Sequence, residues 1–265
     1  MESSGNILNR VAQALLGLLL TGLVLAGWLE RGAPAAPWLL ALVLGLAIVS
    51  TLASLGRGLQ LQNVLMVAGI ISIVSGIVLA VGVATGIPFG PIVFTENFGD
   101  LLFDTLPWTA PLLWVVILLN CRGVARLILR PWRKLHGYGY RVMGLTCLLV
   151  ALFDVGLESF ATRVHRFWIW RVASGGKSLE WFAAPWVNFL GWALAALLIL
   201  MVATPWLINK MPSRRRAADF HPLIVWAALN VFLAATLALH QLWLPAGMTL
   251  AVAVAGSVSA WRNAA

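Results

Sequence analysis

The chain has 265 residues, 61% of them hydrophobic and only 10% charged, with a mean hydropathy of +0.93. Soluble domains carry about 25% charged residues, because a folded surface needs polar cover. This composition excludes a soluble globular enzyme and a disordered chain, and leaves an all-α, polytopic membrane protein. The net charge of +9 does not point to nucleic acid. The basic residues fall between apolar segments, where membrane topology accounts for them.

Eight segments are apolar over about the 20 residues that one crossing needs. They run over 11–29, 37–55, 63–86, 107–128, 141–160, 185–208, 221–241 and 244–261. The first follows Arg10 as a signal peptide would. Its apolar core is too long for one, and the Ala-Pro-Ala behind it is a poor cleavage site, so it reads as a mature helix. The last two segments are nearly fused, and Gln241 and Pro245 mark the only break between them. No internal repeat or low-complexity linker is visible, so 1–265 reads as a single integral membrane domain.

Lys and Arg placement orients these helices. With the N terminus inside, the inner segments hold Arg10, Arg57, Arg122, Arg126, Arg130, Arg133, Lys134, Arg141, Lys210, Arg214, Arg215, Arg216 and Arg262. The outer segments hold Arg31, Arg163, Arg166, Arg171 and Lys177. Of the acidic residues only Glu2 and Asp219 fall inside. Both termini are therefore expected in the cytoplasm. Arg214–Arg216 reads as a topology signal, with anionic-lipid contact as a second use.

Three polar clusters remain, all on the expected outer side. The first is 85-TGIPFGPIVFTENFGD-100, with Thr95, Glu96 and Asp100. Gly and Pro at this density cannot continue a helix. Irregular backbone at membrane depth must be buried in protein or line a cavity; the alternative is a surface loop. The second is Asp154 and Glu158 in the fifth segment. A spacing of four puts both carboxyls on one helix face, about 6 Å apart along the axis. Either the helix ends early and both reach the headgroups, or they form a paired acid site suited to general acid–base work. The third spans 165–192 and carries Trp168, Trp170, Trp181, Trp186 and Trp192. An interfacial aromatic belt accounts for part of it. Asn188 with Gly191 and Trp192 inside the sixth segment fits an aromatic-walled cavity instead, and aromatic faces stabilise cations.

The absences narrow the chemistry. His136, His165, His221 and His240 show no HxxxH or HxxHH spacing, against membrane di-iron desaturases and hydroxylases. His165 reads as a partly exposed loop residue rather than a ligand or proton relay. No GxGxxG, P-loop or GxSxG is present, nor an acidic magnesium-diphosphate motif of the prenyltransferase kind. Cys121 and Cys147 form no CxxC and carry no redox information.

In their order, TGIPFGPIVFT at 85–95, PWTAPLLW at 107–114, DVGLE at 154–158, WIW at 168–170 and WFAAPWVNFLGW at 181–192 resemble the membrane carotenoid-biosynthesis family that contains the carotenoid hydratases of bacteria and haloarchaea. The similarity covers a core at 85–192, and P-x-x-N-F-x-G-W is its most specific string. There are departures. Ile92, Phe94, Trp181 and Phe182 stand where the family has tyrosines, Ser159 where it has proline, and Ala183 and Asp104 where it has glycine. The lost hydroxyls could have oriented water or substrate, and their loss leaves the fold assignment intact.

The resemblance implies an enzyme that adds water to the terminal double bond of an acyclic, ψ-end carotenoid, without metal or redox cofactor. It implies Asp154 and Glu158 as the acid–base pair and Glu96 or Thr95 as the group placing water. Asn188 would orient a carboxyl or the water. Phe89, Trp114, Trp168, Trp170, Trp181 and Trp192 would wall the substrate. Its partners would be a lipophilic carotenoid or isoprenoid and membrane lipids, with no nucleic acid, in a bacterial or archaeal cytoplasmic membrane. Two alternatives stay open: an isoprenoid isomerase or cyclase using the same protonation step, and a non-catalytic carotenoid- or lipid-binding protein.

Overall fold

A computed structural model describes residues 4–32, 34–171, 180–182, 184–208 and 218–264. Lys177, Lys210 and Arg214–Arg216 lie outside the described residues. Among those described, eight helices are long and apolar enough to cross a membrane. They are α1 (Ser4–Leu29), α2 (Pro37–Gly56), α3 (Leu61–Thr85), α4 (Thr109–Ile128), α5 (Tyr138–Ser159), α6 (Val187–Ala203), α7 (His221–Leu239) and α8 (Trp243–Ala264). All eight expected segments are present. The break between α7 and α8 falls at Gln241, whose backbone takes the left-handed turn conformation at φ 60°.

Amphipathic patterning is weak in most of these helices because two different apolar environments compete for their faces. The α4 and α5 spans are the most buried and form the centre. Val115, Leu118, Val150 and Ile199 belong to the main core there. A second cluster joins α1 and α2 to the centre through Leu19, Leu23, Val43, Ala47, Val116 and Val225. The outward faces keep Leu18, Leu65, Ile73, Leu190 and Met201 exposed, as contact with lipid tails allows. Trp28, Trp38, Trp108, Trp186 and Trp243 are exposed at the helix ends or starts on one side, an interfacial belt.

That side also holds three short antiparallel pairings. Strand β1 (Ile92–Phe94) pairs with β4 (Trp168–Trp170), β2 (Leu101–Leu102) with β3 (Leu106–Pro107), and β5 (Glu180–Trp181) with β6 (Ala184–Pro185). The β1–β4 register is Ile92 to Trp170, Val93 to Ile169 and Phe94 to Trp168. It joins the first and third polar clusters, about 75 residues apart in sequence.

The ends of α1, α5 and α7 meet at one carboxylate. Glu30 is buried just past α1, and its Oε1 lies 2.8 Å from His165 Nε2. Its Oε2 lies 3.3 Å from His240 Nε2, and the Ala35 backbone N–H donates to Oε1 at 3.0 Å. His165 is thus buried and partnered, not the partly exposed loop residue expected from sequence. Spacing rules search along the chain, and Glu30 is remote in it. Burial pushes the Glu30 carboxyl up, but His165, the Ala35 N–H and His240 outweigh it and hold it below its ordinary value of 4.5. A carboxylate with a lowered folded-state pKa stabilises above its unfolded value and loses that contribution as pH falls. Glu30→Gln should therefore lower the thermal midpoint in detergent near neutral pH, by about 1–3 kcal/mol of stability. The gap from wild type should close as pH is taken below 4.5, and a gap independent of pH would contradict the charge-based account.

Candidate active site

Asp154 and Glu158 sit one turn apart on α5, and both are fully buried. The early helix end considered from sequence does not occur. The α helix continues to Ser159 and then widens into a π turn over Phe160–Val164, a distortion often found beside functional positions. No Lys or Arg side chain bonds either carboxyl among the described residues; neutral N–H donors do so instead.

Glu158 takes most of them. Trp170 Nε1 donates to Oε1 at 2.6 Å, and Trp168 Nε1 lies 3.2 Å from both carboxyl oxygens. Asn188 Nδ2 donates to Glu158 Oε2 at 3.2 Å and to Asp154 Oδ2 at 2.8 Å, so one amide bridges the pair. Asp154 Oδ1 is buried without a hydrogen-bond partner among the described residues.

The strand pairing explains how two indoles reach one carboxyl. Side chains two apart on a strand share a face, so Trp168 and Trp170 both turn inward while Ile169 is exposed. Phe94 lies opposite Trp168, edge-on at 5.8 Å between ring centroids. The WxW spacing is therefore the geometric requirement for two donors on one acceptor. Beyond the strands, Arg171 N–H donates to the Pro91 carbonyl and Thr95 N–H to the Phe167 carbonyl, each at 2.9 Å, which extends the ladder.

Glu158 and Asn188 face a small cavity of about 20 Å³, room for roughly one water. Its walls include Phe89, Phe94, Trp114, Trp168 and Trp192. Trp114 and Trp192 stack at 4.5 Å with 14° between planes, joining α4 to α6. Phe89 reaches the cavity because two glycines give it space. A Cβ on Gly82 would stand 2.7 Å from the Phe89 ring, and one on Gly191 would stand 2.8 Å from both that ring and the Pro88 carbonyl oxygen. This is the physical content of the N-F-x-G-W string. Asn188 supplies the bridge, Gly191 admits the 86–91 segment, and Trp192 forms a wall.

The other expected site residues lie elsewhere. Thr95 donates its hydroxyl to the Arg166 carbonyl at 2.6 Å, fastening the 95–97 segment. Glu96 is exposed and lines a second, wider cavity. Trp181 is half-buried and packs on Phe182 and Trp186 rather than on the small cavity. Sequence reasoning missed Phe98 and Leu113, which line both cavities. Neither carries a polar signal that could have marked it.

The model of a carotenoid biosynthesis protein family matches residues 38–255. The chain belongs to that family. A curated relative, the bisanhydrobacterioruberin hydratase of Haloarcula japonica, is 23% identical over 191 residues. The match covers 69% of this chain and 58% of that protein, so the chain spans little more than half the length of the relative it matches. No solved structure matches. The family and its eight apolar helices make this an integral membrane protein of carotenoid biosynthesis. A lipophilic substrate and surrounding lipid fit that setting.

The glycine argument is testable. Gly191→Ala should force the Pro88–Phe89 backbone off α6, at a cost of about 1–3 kcal/mol for overpacking. Thermal unfolding of the purified protein would show it, and unchanged stability would mean the 86–91 segment yields freely.

Proposed function

We propose that this protein hydrates the terminal double bond of an acyclic carotenoid, with Asp154 and Glu158 as the acid–base pair. The observation that carries this reading is a carboxyl pair, bonded by no Lys or Arg among the described residues, whose outer member opens onto an aromatic, water-sized space. The resemblance to a hydratase supports it.

The chemistry follows from the parts. Glu158 lines the cavity and gives its proton to the less substituted alkene carbon, forming a C–H bond from the π electrons. The carboxylate left behind is held by the N–H groups of Trp168, Trp170 and Asn188, which are in place before the reaction. The tertiary carbocation forms against the faces of Trp114, Trp192 and Phe94, where aromatic quadrupoles favour positive charge. Water then forms the C–O bond and loses a proton to the carboxyl pair. Glu158 is the member that faces the water and regains the proton, and Asp154 acts on it through the shared Asn188 amide. One water is consumed and the pair is regenerated. The setting we infer is a bacterial or archaeal cytoplasmic membrane, with the site toward the outer face.

Asp154→Asn and Glu158→Gln should each abolish hydroxylated product in a host that makes lycopene, at unchanged protein abundance. Trp170→Phe removes one hydrogen bond to a charged group, about 1.5–3 kcal/mol, and should slow product formation roughly ten- to hundredfold. Mass analysis reads the outcome. Hydration adds the mass of water, whereas a product of unchanged mass would establish isomerisation or cyclisation instead. Full hydroxylation by Asp154→Asn would overturn the acid–base proposal.

A further inference from the structure

The acid pair's cavity holds about one water, so it cannot house a polyene as it stands. A second cavity of about 510 Å³ lies beside it, within the 300–1,000 Å³ typical of small-molecule sites. It is bounded by α1, α2, α4, α5 and α7 and by the 96–100 segment, through Leu23, Leu44, Val116, Phe153, Leu157 and Leu229 among others. Along α2 its lining runs from Pro37 to Ala47, about 15 Å at the helical rise. Phe153 and Leu157 are the immediate neighbours of Asp154 and Glu158 on α5. Phe98 and Leu113 line both cavities and form the wall between them.

We infer that the 510 Å³ cavity is the chamber for the substrate's conjugated chain, and that Phe98 and Leu113 are the partition its reacting end must pass to reach Glu158. The inference rests on the hydration reading for the identity of the reacting end. The occupant is a neutral, rod-like polyene for three reasons. The deep lining is apolar. The charged lining residues are Glu96 and Asp100 at one end, and no Lys, Arg or His lines the cavity among the described residues, so an anionic phospholipid headgroup finds no partner. The lining's extent along α2 suits a stiff chain laid along the helices.

The partition is built to hold a position yet give way. Phe98 stacks on Phe167 at 4.5 Å between centroids and meets Trp168 edge-on at 6.1 Å. Its carbonyl accepts the Thr109 hydroxyl, which ties the segment to the start of α4. It lies on a three-residue helical turn (Glu96–Phe98) followed by Gly99 at φ 119°, a connection outside the main helices. Joining the two spaces requires Phe98 and Leu113 to move aside.

The test uses the full chain purified from a lycopene-making host, with bound polyene measured by absorbance per mole of monodisperse protein. Ala41→Trp and Leu229→Trp narrow the chamber from different helices. Each should lower bound lycopene at least fivefold, and with it hydroxylated product. Asp154→Asn should keep lycopene bound at the wild-type level while making no product. Leu44→Cys, a mild substitution, should be alkylated by a maleimide at least fivefold more slowly when lycopene is bound, which keeps the test valid if the tryptophan variants do not fold. Undiminished lycopene in folded tryptophan variants, unaltered alkylation at position 44, or a phospholipid recovered in place of lycopene would each overturn the chamber assignment. Hydroxylation by Asp154→Asn would instead overturn the hydration chemistry and leave the chamber standing.

Discussion

Two carboxyls buried one helical turn apart, in a protein whose exterior is lipid-facing, impose a constraint on everything around them. Desolvating such groups is costly unless hydrogen bonds replace the lost water. Among the described residues no cation does so. The compensation comes from neutral N–H donors brought from two separate stretches of chain: Trp168 and Trp170 on one strand and Asn188 at the start of α6. Each donor then needs its own support. The strand bearing the indoles needs a partner, which is the 92–94 strand. Asn188 needs α6 close to the 86–91 segment, which requires Gly191. The irregular segments on this side are therefore consequences of placing donors on the α5 pair.

Neutral donors also suit the proposed chemistry better than a salt bridge would. A Lys or Arg beside Glu158 would fix a carboxylate there permanently, and a fixed carboxylate cannot protonate an alkene. Indole and amide N–H groups can bond either protonation state, with a preference for the charged one that is smaller than that of a full positive charge. The pair can thus pass between the two states during a turnover.

Much of this was legible in the sequence, and the reason differs by feature. The eight helices were readable because a crossing length is a strong physical requirement. Asp154, Glu158 and Asn188 stood out because polar groups are expensive inside a membrane helix, and Trp168 and Trp192 stood out through the aromatic cluster and the family-like strings. Glu96 and Thr95 drew attention as polar residues on a Gly/Pro-rich segment that cannot continue a helix, and the structure shows why that signal was insufficient. A polar residue on a connecting segment can satisfy itself with backbone, as Thr95 does with the Arg166 carbonyl. The Glu30 cluster was illegible because its three members come from positions 30, 165 and 240, and nothing local links them. The wide cavity was illegible for a further reason. It is made by residues that are ordinary apolar membrane residues one at a time, and only their packing leaves a space between α1, α2, α4 and α7.

The two spaces have sizes that fit different tasks, and their separation has a chemical consequence. A carbocation formed where many waters are present is captured without selectivity, and one formed with no water loses a proton back to the alkene. A cavity with room for about one water, walled by Trp114, Trp192 and Phe94, limits both outcomes. The long apolar part of the substrate has to be held elsewhere, or the reacting site would be as wide as the chain and as wet as its opening. The Phe98–Leu113 wall keeps these requirements apart. On the proposed reading, one region selects a hydrophobic rod by shape while the other sets how much water meets the cation, and Glu158 faces the side where water is scarce.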